Sequence, residues 1–269
     1  MNARVLSYFA SVVLVIFYLL PIYTTVNVSL KTTQGLVAGP ITPAETLYFG
    51  AYVEAFSRTG RAFLNSFMMV LPATLISSFL GSTGGYAFSK FRFKGADILL
   101  FLIVLGFYIP PQAILIPLVK FIADIGLFNT SAGLILTHVA YGMPITTLLF
   151  KNYYGNIPRD ITDSAEVDGA GVGSIYRRII LPLSLPGFAV VTIFQFTNIW
   201  NEFLFALTLT LGESSQPVTV AIANLKGTTL AAWNVQMAGA MMGALPVLLF
   251  YIFATKLVVK GLTEGAVKG

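Results

Sequence analysis

Six apolar stretches, near residues 5–29, 62–88, 96–119, 131–151, 187–211 and 238–259, each carry roughly the 20 residues needed to cross about 30 Å of hydrocarbon. Inside that layer no water satisfies backbone N–H and C=O groups, so such stretches must satisfy their own, and at this length they do so as helices. The chain is 56% hydrophobic and 10% charged, with a mean hydropathy of +0.81, which leaves too little polar surface for a soluble globule. The expectation is an all-α integral membrane protein with six transmembrane helices, forming a single transmembrane domain over residues 1–269. The first stretch is too long for a signal-peptide core, and no small-x-small cleavage pattern follows it, so it is read as a retained helix.

The loops carry the orientation. Assigned alternately, they put 11 of the 16 lysines and arginines on the side of both termini and five on the other. Basic residues accumulate on the cytoplasmic side, so both termini are expected inside. The net charge of +5 is thereby read as a topology signal rather than a nucleic-acid surface. Segments 30–61 and 212–237 then fall outside and carry the Gly, Pro, Ser and Thr of loops, although "PVTVAIANL" could be a short buried or re-entrant piece. With no cysteine there are no disulfides, thiolate nucleophiles or cysteine-held metals.

Prolines 21, 72, 110, 111, 117, 144 and 246 lie inside or at the edges of the spans, where each frees backbone groups that neighbouring helices or a water-filled cavity must satisfy. Gln112 is placed to do so beside Pro110-Pro111, and Asn65 and Ser66 are placed to cap the outer end of the second span. Gly81 with Gly85, and Gly239 with Gly243, have the small-xxx-small spacing that lets backbones approach closely, within one bundle or between subunits.

The polar chemistry concentrates in the cytoplasmic loop 155–186, around "DSAEVDGAGVGSIYRRIILPLSLPG". It reads as two short helices. Asn156 is placed to cap the first, Pro158 to sit in its first turn, and Asp160 and Asp163 to face its positive end. Ile161 and Ala165 share one face; after a turn at Gly169, Val172, Ile175 and Ile179 share another. A hairpin polar on one side and apolar on the other suits a groove on a soluble partner or a bed of lipid headgroups, and pattern alone leaves both open.

The spacing of this loop resembles the "EAA" loop of ATP-binding-cassette importer permeases: Glu-Ala-Ala, three residues, Gly, nine residues, Ile-x-Leu-Pro. Here it runs Asp163-Ser164-Ala165, three residues, Gly169, nine residues, Ile179-x-Leu181-Pro182. Asp replaces Glu on a shorter stem, and Ser replaces Ala. "LNSF", "GGYAFSKFRFKG", "NIWNEFLFALTLT" and "GLTEGAVKG" are similar to the maltose-permease-like branch, the smaller membrane subunit of carbohydrate importers. The resemblance implies the type I ABC importer permease fold in a bacterial or archaeal cytoplasmic (inner) membrane. It also implies a second homologous permease, two ATPase subunits that use ATP and Mg, and an extracytoplasmic sugar-binding protein. Asp163, Ser164, Ala165, Gly169, Ile179, Leu181 and Pro182 would be the ATPase-coupling residues, with Lys268 and Gly269 reaching the ATPases from the tail.

What is missing fits this division of labour. No G-x-x-x-x-G-K-[ST] loop cradles phosphates, and with the single histidine His138 there is neither H-E-x-x-H nor a Ser-His-Asp set. The chain is therefore read as a transport subunit with no catalytic residue, metal or bound cofactor of its own. The substrate pathway is assigned to Gln195, Asn198, Asn201 and Glu202, because planar amides and a carboxylate at membrane depth match sugar hydroxyls. The competing reading of Glu202 is a pair with another subunit, or a cap on a helix break. His138 is read as a satisfied core histidine or a helix-packing hydrogen bond, and Trp200 as lipid-facing or interfacial. An ion-coupled secondary transporter of a small polar solute is the alternative, with Glu202 its one buried acid.

Overall fold

The computed structural model describes residues 3–225 and 233–266. Among them every regular element is helical. The order is α1 (Ala3–Ser29), a 3₁₀ turn (Gln34–Ala38), α2 (Gly50–Lys90), α3 (Ala96–Tyr108), α4 (Pro111–Asp124), α5 (Ser131–Gly155) and α6 (Arg159–Val167). Next come α7 (Val172–Ile175), a π-helical turn (Tyr176–Ile180), α8 (Leu181–Leu183), α9 (Leu185–Asn201), α10 (Leu204–Leu209), α11 (Val218–Ala223) and α12 (Trp233–Ala266). α1, α2, α5 and α12 are each long and apolar enough to cross a membrane, and counting two bent pairs as one span each gives six. The expected 96–119 span is bent between α3 and α4, and the expected 187–211 span is interrupted between α9 and α10.

The contacts divide the chain into two units, residues 1–63 with 217–246, and residues 64–216 with 247–269. In the first, a small core forms from Ala51, Ala55, Leu225, Val235 and Ala238. Ala51 and Ala55 are one turn apart, which is why α2 begins at Gly50 rather than near residue 62: segment 30–61, expected as loop, is helical from there on. At 1.5 Å per residue the 41-residue α2 is about 60 Å long, twice the hydrocarbon thickness. α11 is the short buried piece left open for "PVTVAIANL", with Val218 and Val220 fully enclosed. Gly239 and Gly243 face the Ile222 and Leu225 side chains, so this glycine pair packs inside its own unit. Asn27 holds the loop after the 3₁₀ turn, donating to the carbonyls of Pro40 and Thr42 and accepting from the Ala44 amide.

In the second unit Gly81 and Gly85 bring α2 against α5. A Cβ on Gly81 would lie 2.5 Å from Thr146 Cβ, and one on Gly85 would lie 2.7 Å from the Lys151 amide nitrogen. The small-residue spacing is therefore intramolecular packing here too. α3 and α4 meet at 95°. The Pro110-Pro111 pair forces this: Ile109 and Pro110 are extended, at ψ 120° and 128°, because residues preceding proline are driven out of the helical region. The freed Ile109 carbonyl accepts the Tyr141 hydroxyl from α5, while Gln112, expected in that role, is exposed. Asn65 and Ser66 lie buried inside α2, well past its first turn, so neither sits at the helix end it was expected to cap. Asn65 instead donates to the carbonyls of Glu213 and Gln216, at 3.1 and 3.0 Å.

Candidate functional site

The hairpin of α6 to α8 is built on a chain reversal at Gly169. Its φ of +80° is left-handed, and the flanking bonds complete a Schellman cap: the Ala170 amide donates to Ala165 O (2.9 Å) and the Gly169 amide to Glu166 O (3.0 Å). Asn156 closes α5 instead of opening α6, and Pro158 sits just before the first turn, because a proline keeps Ile157 out of a helix. The second arm departs from the expected face. Val172 is half exposed, and the π turn lengthens the repeat to i+5, so Ile175 and Ile180 share the buried side together with Tyr176.

That side enters an aromatic cluster of Tyr86, Phe150, Tyr154, Ile175, Tyr176, Ile180 and Val191. Of the seven assigned coupling residues, Ala165, Ile179 and Leu181 pack against this cluster, whereas Asp163, Ser164, Gly169 and Pro182 are exposed. The set thus holds two physical classes, anchors and surface. Val167, 88% exposed at the end of α6, is an apolar surface residue the motif does not mark. Sequence reasoning also missed the polar pin beneath. The Ser82 hydroxyl of α2 is 2.6 Å from the Tyr154 hydroxyl of α5 and 2.7 Å from that of Tyr176, all three buried. Lys90 adds a bond to the Ile157 carbonyl (2.9 Å) and Tyr153 one to Leu183 (3.2 Å). Lys268 and Gly269 lie outside the described residues.

α9 leaves the hairpin at 75° and ends at Glu202, which is extended at ψ 131°. The Glu202 carboxylate accepts from the backbone amides of Phe205 (2.8 Å) and Ala206 (3.2 Å), satisfying the first turn of α10. The helix-break reading of Glu202 is therefore correct, and it coexists with a cavity. A space of about 200 Å³ opens beside it, lined by Gln195, Asn198 and Glu202 together with His138, Tyr141 and Gly142. Asn201 is not part of it: exposed, it donates to the Thr197 carbonyl. Trp200, expected at lipid or interface, is 3% exposed and stacks on Phe196. His138 is buried as expected of a core histidine but is not satisfied. Its Nε2 has no hydrogen-bond partner and stands 4.0 Å from Glu202 Oε2. Gly142 exists for Gln195: a Cβ there would sit 1.7 Å from the amide nitrogen. No sequence signal marked Gly142 or Tyr141.

The sequence matches the family described as "binding-protein-dependent transport system inner membrane component" over residues 73–261, well over half of the chain. The chain belongs to this family. A probable ABC transporter permease of Pyrococcus horikoshii is 47% identical over 99% of the chain and 98% of its own length. The xylose/arabinose import permease of Haloferax volcanii is 34% identical over 98% and 94%, and the trehalose transport system permease of Mycobacterium tuberculosis 33% identical over the full length of both. In structure, a chain of a bacterial ABC transporter involved in import of the acidic polysaccharide alginate superposes with a TM-score of 0.78 at 21% identity, covering 94% of this chain and 96% of that one. The type I ABC importer permease fold expected from the EAA-like loop is thus the fold of this inner membrane permease. A binding-protein-dependent family sets aside the ion-coupled alternative.

Proposed function

We propose that the permease is the membrane-spanning subunit of an ATP-driven sugar importer, with both termini cytoplasmic, forming half of the translocation pathway and coupling to an ATPase through residues 163–182. The hairpin carries this reading. Its inner face is buried and pinned to α2 and α5, while its outer face presents Asp163, Glu166, Asp168 and the bare Val167 to a partner. Burying a valine side chain in a groove contributes about 1.5 kcal/mol or more, a fitting contact for a motor that must grip. The relatives named for xylose/arabinose and trehalose support a sugar as cargo.

In this mechanism two ATPase subunits, using ATP and Mg, close on nucleotide and carry the hairpins of this permease and a homologous partner. The chain itself binds no cofactor. Displacement of α6 to α8 reaches α9 through the short turn at Ser184, whose hydroxyl bonds the Ile180 carbonyl, and so swings the wall that bears Gln195 and Asn198. An extracytoplasmic sugar-binding protein delivers cargo from the other side. Coupling requires the ATPase to hold the hairpin differently in its two states, since a ligand shifts an equilibrium only by its differential affinity. Membrane vesicles carrying the complex test this: sugar uptake should require ATP and the binding protein and survive collapse of ion gradients. Uptake that follows an ion gradient without ATP overturns it.

A further inference from the structure

The cavity contains one feature that pathway lining alone does not explain. His138 Nε2 is fully enclosed and unpartnered, and it faces the Glu202 carboxylate across 4.0 Å, too far for a direct hydrogen bond. A buried polar atom without a partner is costly, so Nε2 gains from any polar group that a small shift of the surrounding side chains admits from the adjoining cavity. An oxygen about 2.8 Å from both atoms closes this gap at roughly 90°. A carboxylate only accepts, whereas an imidazole Nε2–H donates, so a hydroxyl fits as a bridge: it donates to Glu202 and accepts from His138.

We infer that His138 and Glu202 form a two-point clamp for one hydroxyl of an uncharged sugar. This rests on the sugar-importer reading above. The Gln195 amide, which Gly142 admits at the same wall, supplies further donors and acceptors. Tyr141 and Phe205, edge to face at 5.3 Å, supply the apolar surface on which a sugar ring lies. No lysine or arginine lines the cavity among the described residues, so a uronic acid would bring its carboxylate to Glu202 with no cation to meet it. The clamp therefore favours neutral sugars over acidic ones. His138 is here a binding residue that no motif marks, and Glu202 has two duties, capping α10 and holding cargo.

The test is a double-mutant cycle in vesicles carrying the full complex, with radiolabelled xylose, glucose and trehalose as probes and glucuronate as the acidic counterpart. His138→Leu and Glu202→Gln should each raise KM about tenfold, as expected for one hydrogen bond to a charged or buried partner. Because both hold the same hydroxyl, the double variant should be no worse than the weaker single, not about a hundredfold impaired. His138→Gln, whose amide nitrogen reaches close to the Nε2 position, should restore most of the loss. Multiplying effects, or an unchanged KM in His138→Leu, overturn the clamp while the importer reading stands. A wild-type complex that imports none of the neutral probes with ATP overturns both.

Discussion

The two ends of α9 are both chain breaks, and they are stabilised in opposite ways. At the hairpin end the 75° turn is shut: the Ser184 hydroxyl bonds the Ile180 carbonyl, and Gly187 lies against the Tyr153 ring, 2.9 Å from where a Cβ would sit. At the cavity end the helix stops at Glu202, and the groups freed there meet a carboxylate that also faces open space. A packed corner closed by a hydrogen bond is suited to carry a displacement from one helix to the next. A break left beside a cavity exposes polar atoms for chemistry. In the proposed mechanism the same device, an interrupted helix, would serve coupling at one end and recognition at the other, and the difference lies in what fills the gap.

The largest effect should come from removing the support both ends share. Gly81→Val and Gly85→Val place methyl groups inside the α5 backbone, so each should destabilise by about 3 kcal/mol or more and abolish assembly, read as loss of folded permease in detergent melts. Next is Ser82→Ala, which leaves the Tyr154 and Tyr176 hydroxyls without their common partner. A loss of about 1–3 kcal/mol is expected, with the hairpin loosened before the cavity, as hydrogen exchange at residues 172–183 would register.

Gly169→Val sharpens the comparison from the hairpin side. Its φ of +80° disfavours a β-branched residue by about 1–2 kcal/mol, yet nothing lies within 4 Å of the new Cβ. Membrane insertion should persist while ATPase binding and uptake fall, and Gly169→Asn, which tolerates the left-handed region, should recover much of both. Gly142→Ala works from the other end. Its Cβ overlaps only the tip of Gln195, so the amide moves aside, stability changes little, and KM for sugar rises a few-fold. The smallest effect belongs to Asn201→Ala: outside the cavity and bonded only to its own helix, it should leave uptake and stability within about 0.5 kcal/mol of wild type.

The contrast also explains what the sequence disclosed. Hairpin information is local: Gly169 needs its left-handed φ, and Pro182 follows Ile179 at fixed spacing, so the motif is written in consecutive letters. Gln195, Asn198 and Glu202, which line the cavity, were legible because polar groups stand out against an apolar run. Their company was not. His138 and Glu202 are 64 positions apart, Ser82 and Tyr176 are 94 apart, and no periodicity along one helix announces a meeting between two. The Pro110-Pro111 break was visible as two prolines, but its 95° bend, and the choice of Tyr141 over Gln112 as partner, depend on how α5 packs. Asn201 lies off this cavity for a related reason: adjacency to Glu202 in sequence is a 100° rotation on a helix, which turns it away.

The central claim is that a separate ATPase grips the hairpin. The chain has no cysteine, so Val167→Cys introduces a single thiol at an 88% exposed position at the end of α6. Thiol crosslinking in the purified complex should join that position to the nucleotide-hydrolysing subunit, with a yield that changes between ATP-bound and nucleotide-free states. A Val167→Cys permease that crosslinks to no ATPase in either state would contradict the account.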